Sequence, residues 1–306
     1  MFEAPEEPTR VGYRPGSLDL VKLSRLMDRT SGVAEIKIGL IDGPVATEHS
    51  ALNTESLKEI SSKPTGGCSD VTSMACVHGT FVAGMLSGKR GSAALGICPG
   101  CELLVRPIFT ETSSEGEQVP SATPTELTEA IFDVVRAGAR VINLSVALIQ
   151  QSALGEAELG RALDHTARNS VIVVAASGNQ GTLCSSVITR HPWVIPVVAY
   201  DLHGHLMPLS NLAGSIGRRG VGAPGEGVTS LRAAGGSLTL GGTSVAAPFV
   251  TGAVALLWSC FADASAAEIR FALSGALLRR NTIAPPLLDA EAAYEGLTSR
   301  RRSISH

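Results

Sequence analysis

No run of about 18 apolar side chains occurs anywhere in these 306 residues, so the sequence offers no transmembrane helix. Charge is scarce as well: charged residues make up 17% and the formal net charge is −3. Without a broad basic surface, nucleic acid is not an expected partner. The opening stretch "MFEAPEEPTRVGYRPG" has neither the basic start nor the apolar centre of a secretory signal. A cytoplasmic chain, or a mature piece of a longer one, is the expectation. No internal repeat and no "GxxxxGK[ST]" phosphate loop is present. "GVGAPG", Gly220 to Gly225, has dinucleotide-loop glycine spacing, but it contains a proline and no clear strand precedes it. It is not read as a cofactor site.

Six cysteines are present, at positions 68, 76, 98, 101, 184 and 260. Free thiols are the default in a cytosolic chain. Local disulfides, and a zinc site joining Cys68 and Cys76 to the "CPGC" turn at Cys98 to Cys101, stay open as alternatives.

Strand and helix patterns alternate from about residue 35. "EIKIGLI" (Glu35 to Ile41), "VINLSV" (Val141 to Val146), "VIVVAA" (Val171 to Ala176) and "VIPVVAY" (Val194 to Tyr200) read as strands buried on both faces. "TPTE" at Thr123 to Glu126 is a capping box with proline at the first helical position, and Gly138 ends the helix it opens. Further helices are expected over Gly155 to Arg168, over Ser244 to Trp258 as a buried helix, and from the "SAAE" box at Ser265 to Glu268. Such alternation predicts a doubly wound, mostly parallel α/β sheet with helices on both faces, in a single domain. The domain is expected over residues 20–296, between an irregular extension at 1–19 and a frayed basic tail at 297–306 that holds Arg300 to Arg302.

In such sheets the ligand crevice lies at the carboxyl ends of the strands. Asp42 follows the first strand, Ser145 ends "VINLSV", and Asn179 comes just after "VIVVAA". Ser244, in "GGTSVAAPFVTG", lies where a helix begins and its free N–H groups favour a developing anion. His78 opens the small-residue segment "HGTFVAG". A hydroxyl, an imidazole and a carboxylate are the parts that serine-based amide hydrolysis requires. His49 is a second candidate base, only seven positions after Asp42. Ser244 as a simple helix cap and Asn179 as a simple turn residue are the plainer readings.

Four blocks, "IGLIDGPVATEHSAL", "HGTFVAG", "AASGNQG" and "GGTSVAAP", together resemble the signature blocks of the subtilisin-like serine peptidases, the subtilases. The order Asp, His, Ser along the chain is the one known for subtilisin. The resemblance, which spans roughly residues 20 to 295, implies Asp42, His78 and Ser244 as a catalytic triad and Asn179 as a side-chain donor to the oxyanion. It implies that Ser145, Val146 and Ala147, with Gly178 nearby, bind an extended peptide or protein substrate by strand addition. Subtilases usually carry glycine where Ala147 stands. The resemblance also implies a cis bond between His191 and Pro192. No cofactor or metal is expected, since Ala46 stands where secreted members often carry an acidic calcium ligand. "IDGPV", "RPIF" (Arg106 to Phe109) and "GICPGC" are similar to the subtilisin-like proteases of cyanobactin maturation, which implies a ribosomally made precursor peptide as substrate. The other readings are a catalytically silent peptide-binding scaffold and a transpeptidase or esterase on the same site. No insertion near the triad is long enough to form a helical cap that excludes water, which favours hydrolysis over cyclisation.

Overall fold

Runs of valine, isoleucine and leucine form the centre of the computed structural model, which describes residues 16–60, 67–109, 121–145, 147–148, 153–274 and 282–304. The chain begins with α1 (Ser17–Leu20), α2 (Leu23–Arg29), β1 (Lys37–Asp42), β2 (Leu57–Glu59) and α3 (Met74–Ser87). It continues with β3 (Glu102–Pro107), β4 (Ser121–Ala122), α4 (Pro124–Arg136), β5 (Val141–Leu144), β6 (Ala147–Leu148) and α5 (Ala153–Arg168). Then come β7 (Ile172–Ala176), α6 (Val187–Arg190), β8 (Val194–Tyr200), α7 (Gly214–Arg219), β9 (Val221–Pro224), β10 (Val228–Leu231) and β11 (Ser237–Leu240). Helices α8 (Thr243–Cys260), α9 (Ala266–Leu273) and α10 (Ala290–Ile304) complete it.

Seven strands form one sheet in the order β2-β3-β1-β5-β7-β8-β9, every pair parallel. Parallel strands need covered faces, and the side-chain alternation supplies two cores. Ile38 and Leu40 of β1, Ile172 and Val174 of β7, and Ile195 and Val197 of β8 face one core. Ile41, Val173 and Val194 face the other, with Leu127, Ile131 and Val134 of α4 and Leu159 and Leu163 of α5. On α4 the expected capping box is in place: Thr123 accepts from the Glu126 N–H, and Glu126 reaches back to the Thr123 N–H. Helix α8 is apolar enough and long enough to cross a membrane, yet it is almost wholly buried, packed on β5, β7, β8 and β9. It is the central helix of a globular core. The chain leaves β1 for β2 and β3 on one side and later fills the other side with β5, β7, β8 and β9. The strand order therefore switches at the β1–β5 boundary, and the crevice rule points to the carboxyl ends of those two strands.

Away from the site, four differences from the sequence reading have a clear physical reason. Strand β3 has no counterpart there, because a charged Arg106 interrupts "ELLVRP". That side chain is buried, with its Nε 2.9 Å from the Asp133 carboxylate of α4. The segment rejected as a dinucleotide loop is itself the edge strand β9. No described peptide bond is cis. His191 has φ −64° and ψ 130°, the extended region a residue before proline prefers, so the His191–Pro192 bond is trans without steric conflict. Arg300 to Arg302 are not a frayed tail. They continue α10, with the Arg300 guanidinium 3.9 Å from the Phe271 ring centre and Arg301 over Phe261 and paired with Asp263. Cation–π contacts on an apolar ring hold a basic helix end in place. Of the expected N-terminal extension, residues 1–15 lie outside the described residues.

Candidate active site

The carboxyl end of β1 fixes the first group. Asp42 is fully buried, and its Oδ1 accepts from the Gly43 N–H at 2.7 Å. Gly43 has to be glycine: a Cβ there would lie 1.9 Å from the Ala75 carbonyl of α3. That close approach brings α3 against the turn after β1. His78, on the second turn of α3, faces the same Oδ1 with its Nδ1 at 2.7 Å. A carboxylate only accepts, so Nδ1 carries the proton and Nε2 is free to accept. Ser244 Oγ lies 3.0 Å from Nε2. Three side chains from positions 42, 78 and 244 thus form one hydrogen-bonded line. The His78 side chain is 23% exposed. Burial pushes the His78 imidazole down, but the Asp42 charge and hydrogen bond outweigh it, so the net displacement is upward from 6.5. Among the described residues, Asp42 Oδ2 is buried without a hydrogen-bond partner.

Ser244 is not the helix cap. Gly242 occupies that place at φ 121°, a backbone that glycine adopts most easily, and Ser244 is the second residue of α8. Its N–H belongs to the first turn, where no earlier carbonyl of the helix receives it. Asn179, just past β7, is held from one side. Its Oδ1 accepts from the Thr243 N–H at 2.9 Å and the Thr243 hydroxyl at 2.8 Å. The amide is thereby oriented with Nδ2 outward, and Nδ2 makes no hydrogen bond among the described residues. Thr243 was not singled out in the sequence reading. Buried and adjacent to the serine, it also accepts from the Gly178 N–H at 3.2 Å. The available signal was the threonine in "GGTS".

The family model described as the Subtilase family (Peptidase_S8) matches residues 34–287. The chain belongs to the subtilase family. It is a subtilisin-like serine endopeptidase. Subtilisin DY of Bacillus licheniformis is 28% identical over 270 residues, which cover 85% of this chain and 90% of that protein. A solved structure of a mutant of the PatA protease domain matches with a TM-score of 0.77 at 29% identity, over 88% of this chain and 97% of that one. The prenylagaramide maturation protease PagA matches with a TM-score of 0.76 at 27% identity, over 90% and 98%.

The remaining expected groups of this subtilase divide. Gly178 has φ 102°, and a Cβ would lie 2.3 Å from the Asn211 amide nitrogen, so it is needed for the backbone turn. It also lines a cavity of about 320 Å³ with Leu144, Ala176, Gln180, Val187 and Asn211. Ser145 turns its hydroxyl to the Ser244 carbonyl at 3.1 Å, so that side chain is spent inside the protein. Ala147 lies in β6, paired in parallel with Ser121 of β4, and Val146 lies outside the described residues. His49 accepts from the Ala51 N–H at 3.1 Å and has no bond to Asp42 or Ser244.

Both open readings of the cysteines are represented: four are free thiols and two form a local disulfide. Cys68 and Cys76 form a disulfide, while Cys98, Cys101, Cys184 and Cys260 are free. Cys76 is in the first turn of α3, two residues before His78, so the bond ties the loop ahead of α3 to the helix that carries His78. The "CPGC" segment is a tight turn, with the Cys101 N–H donating to the Cys98 carbonyl at 3.0 Å.

Proposed function

We propose that this subtilase hydrolyses peptide bonds in an extended substrate through an acyl-enzyme on Ser244, and that the substrate is a ribosomally made precursor peptide. The observation that carries the catalytic reading is the line Asp42–His78–Ser244, with contacts of 2.7 and 3.0 Å. Ser244 Oγ attacks the scissile carbonyl carbon while His78 Nε2 takes its proton. The oxyanion that forms meets the Ser244 N–H and Asn179 Nδ2. The C–N bond then breaks and His78 gives its proton to the leaving amine. Water attacks the ester in the second half, by the same proton route, and frees Ser244. Strand β6, paired on one side with β4 among the described residues, is the place for an extended peptide to add as a strand. The cavity beside Gly178 takes the side chain that precedes the scissile bond. Support for a precursor peptide comes from the likeness to PagA, itself a maturation protease.

Asn179→Ala is expected to lower kcat by about 10²–10³-fold with KM little changed, the size of loss known for such a donor in a subtilisin. Steady-state kinetics on a cleaved peptide checks this; a rise in KM at constant kcat would show a binding role instead. The wider reading is tested by incubating a peptide library and ribosomal precursor peptides with the wild type and with Ser244→Ala, and reading products by mass. Cleavage at an internal bond by the wild type alone is expected. Products that persist with Ser244→Ala would remove Ser244 from the chemistry, and cleavage of library peptides but of no precursor would remove the precursor assignment.

A further inference from the structure

Helix α8 carries a proline, Pro248, four residues after Ser244. In an α-helix the carbonyl of residue 244 accepts from the N–H of residue 248. Proline has no N–H, and its ring crowds the carbonyl four positions back. The carbonyl that loses its helical partner is therefore that of the nucleophile. It is also a partly buried group, and buried carbonyls left without donors are costly.

The missing donor is supplied from the sheet. Ser145, just past β5 and 8% exposed, donates its hydroxyl to the Ser244 carbonyl at 3.1 Å. Its rotor is set by a chain of donors running in one direction. Thr251 Oγ1 donates to Asn143 Oδ1 at 2.8 Å, and Asn143 Nδ2 donates to Ser145 Oγ at 2.8 Å. The Ser244 carbonyl can only accept, so Ser145 donates to it and accepts from Asn143 Nδ2, which leaves Asn143 Oδ1 facing the Thr251 hydroxyl. The Asn143 bond occupies a lone pair of Ser145, and its proton is left for the Ser244 carbonyl. Asn143 and Thr251 are both fully buried. The relay starts on α8 two turns past Ser244, crosses to the central strand, and returns to α8 at the nucleophile.

We propose that Ser145 is a positioning residue of the hydrolysis, its hydroxyl standing in for the absent Pro248 N–H and fixing the Ser244 backbone beneath the attacking oxygen. This rests on Ser244 being the nucleophile. The helix start has other anchors: Thr243 binds Asn179, and the Gly242 N–H donates to the Gly225 carbonyl at 2.7 Å. Losing the Ser145 bond therefore leaves α8 docked but lets one peptide plane tilt. The tilt moves Ser244 Oγ relative to His78 Nε2, and sub-ångström displacement of an attacking group is enough to slow it. Pro248 and Ser145 act as a matched pair, one freeing the carbonyl and the other claiming it.

The test is the rate at which a fluorophosphonate labels Ser244, with kcat and KM on a cleaved peptide. Ser145→Ala is expected to slow labelling and kcat about tenfold, the worth of one such hydrogen bond. KM and the pH midpoint of the acid limb should not move, since the His78–Asp42 contact is untouched. Ser145→Thr, which keeps a hydroxyl, should recover most of the rate. Pro248→Ala returns an N–H to position 248, so adding Ser145→Ala to it should cost less than about twofold. Wild-type labelling rates in Ser145→Ala, or an equal loss with and without Pro248→Ala, would overturn the positioning role while leaving Ser244 as nucleophile. A wild-type protein labelled on some residue other than Ser244 would overturn both.

Discussion

His78→Ala and Ser244→Ala are each expected to lower kcat by about 10⁶-fold, and the double variant is expected to lose no more, the pattern known for subtilisin. The physical reason is that neither group acts alone. A neutral hydroxyl is a weak nucleophile, and an imidazole with no hydroxyl to deprotonate has no task. The 3.0 Å contact from Ser244 Oγ to His78 Nε2 makes them one unit. Single-turnover and steady-state rates of the three variants, with their thermal stability, check this. Losses that multiply in the double variant would mean that the two residues contribute separately.

Asp42→Asn carries the second large effect, a fall in kcat of about 10⁴-fold. An amide in that place offers either a donor or a neutral acceptor, so it no longer enforces a proton on His78 Nδ1 and no longer stabilises the imidazolium. Its signature in pH is separate from its size. His78 must be neutral to accept the serine proton, so activity falls as pH drops through its pKa. Burial lowers that pKa, the Asp42 charge and bond raise it, and the net direction is upward from 6.5. The acid limb of kcat/KM in the wild type is therefore expected above 6.5. Without the Asp42 charge only burial remains, and the midpoint moves down. An acid limb that keeps its midpoint in Asp42→Asn would assign it to another group.

How far the sequence discloses this site depends on whether a feature is local. Asp42 at a strand end, Ser244 near a helix start and His78 among small residues are consequences of short-range pattern, and the fold brings all three side chains together. Gly178 and Gly242 have backbone conformations that any L side chain strains, and glycine-rich blocks announce that. What the pattern hid depends on contacts across the fold. Thr243 looks like one more small residue until Asn179 is placed beside it. Ser145 reads as part of a substrate strand, and only the register of β5 against α8 shows its hydroxyl at the Ser244 carbonyl. The Cys68–Cys76 bond depends on the path of a loop, which spacing does not fix. Arg106 disguised a core strand because its neutralising partner, Asp133, is 27 positions away. Arg300 and Arg301 looked like solvated charge because the rings they cover, Phe271 and Phe261, belong to another part of the chain.

The most direct measurement is peptide mass mapping after brief exposure to a fluorophosphonate, run on the wild type and on His78→Ala. A single adduct on Ser244 in the wild type, slowed by several orders of magnitude in His78→Ala, is the predicted result. An adduct on a different residue, or one that forms on Ser244 equally fast without the His78 imidazole, would contradict the account.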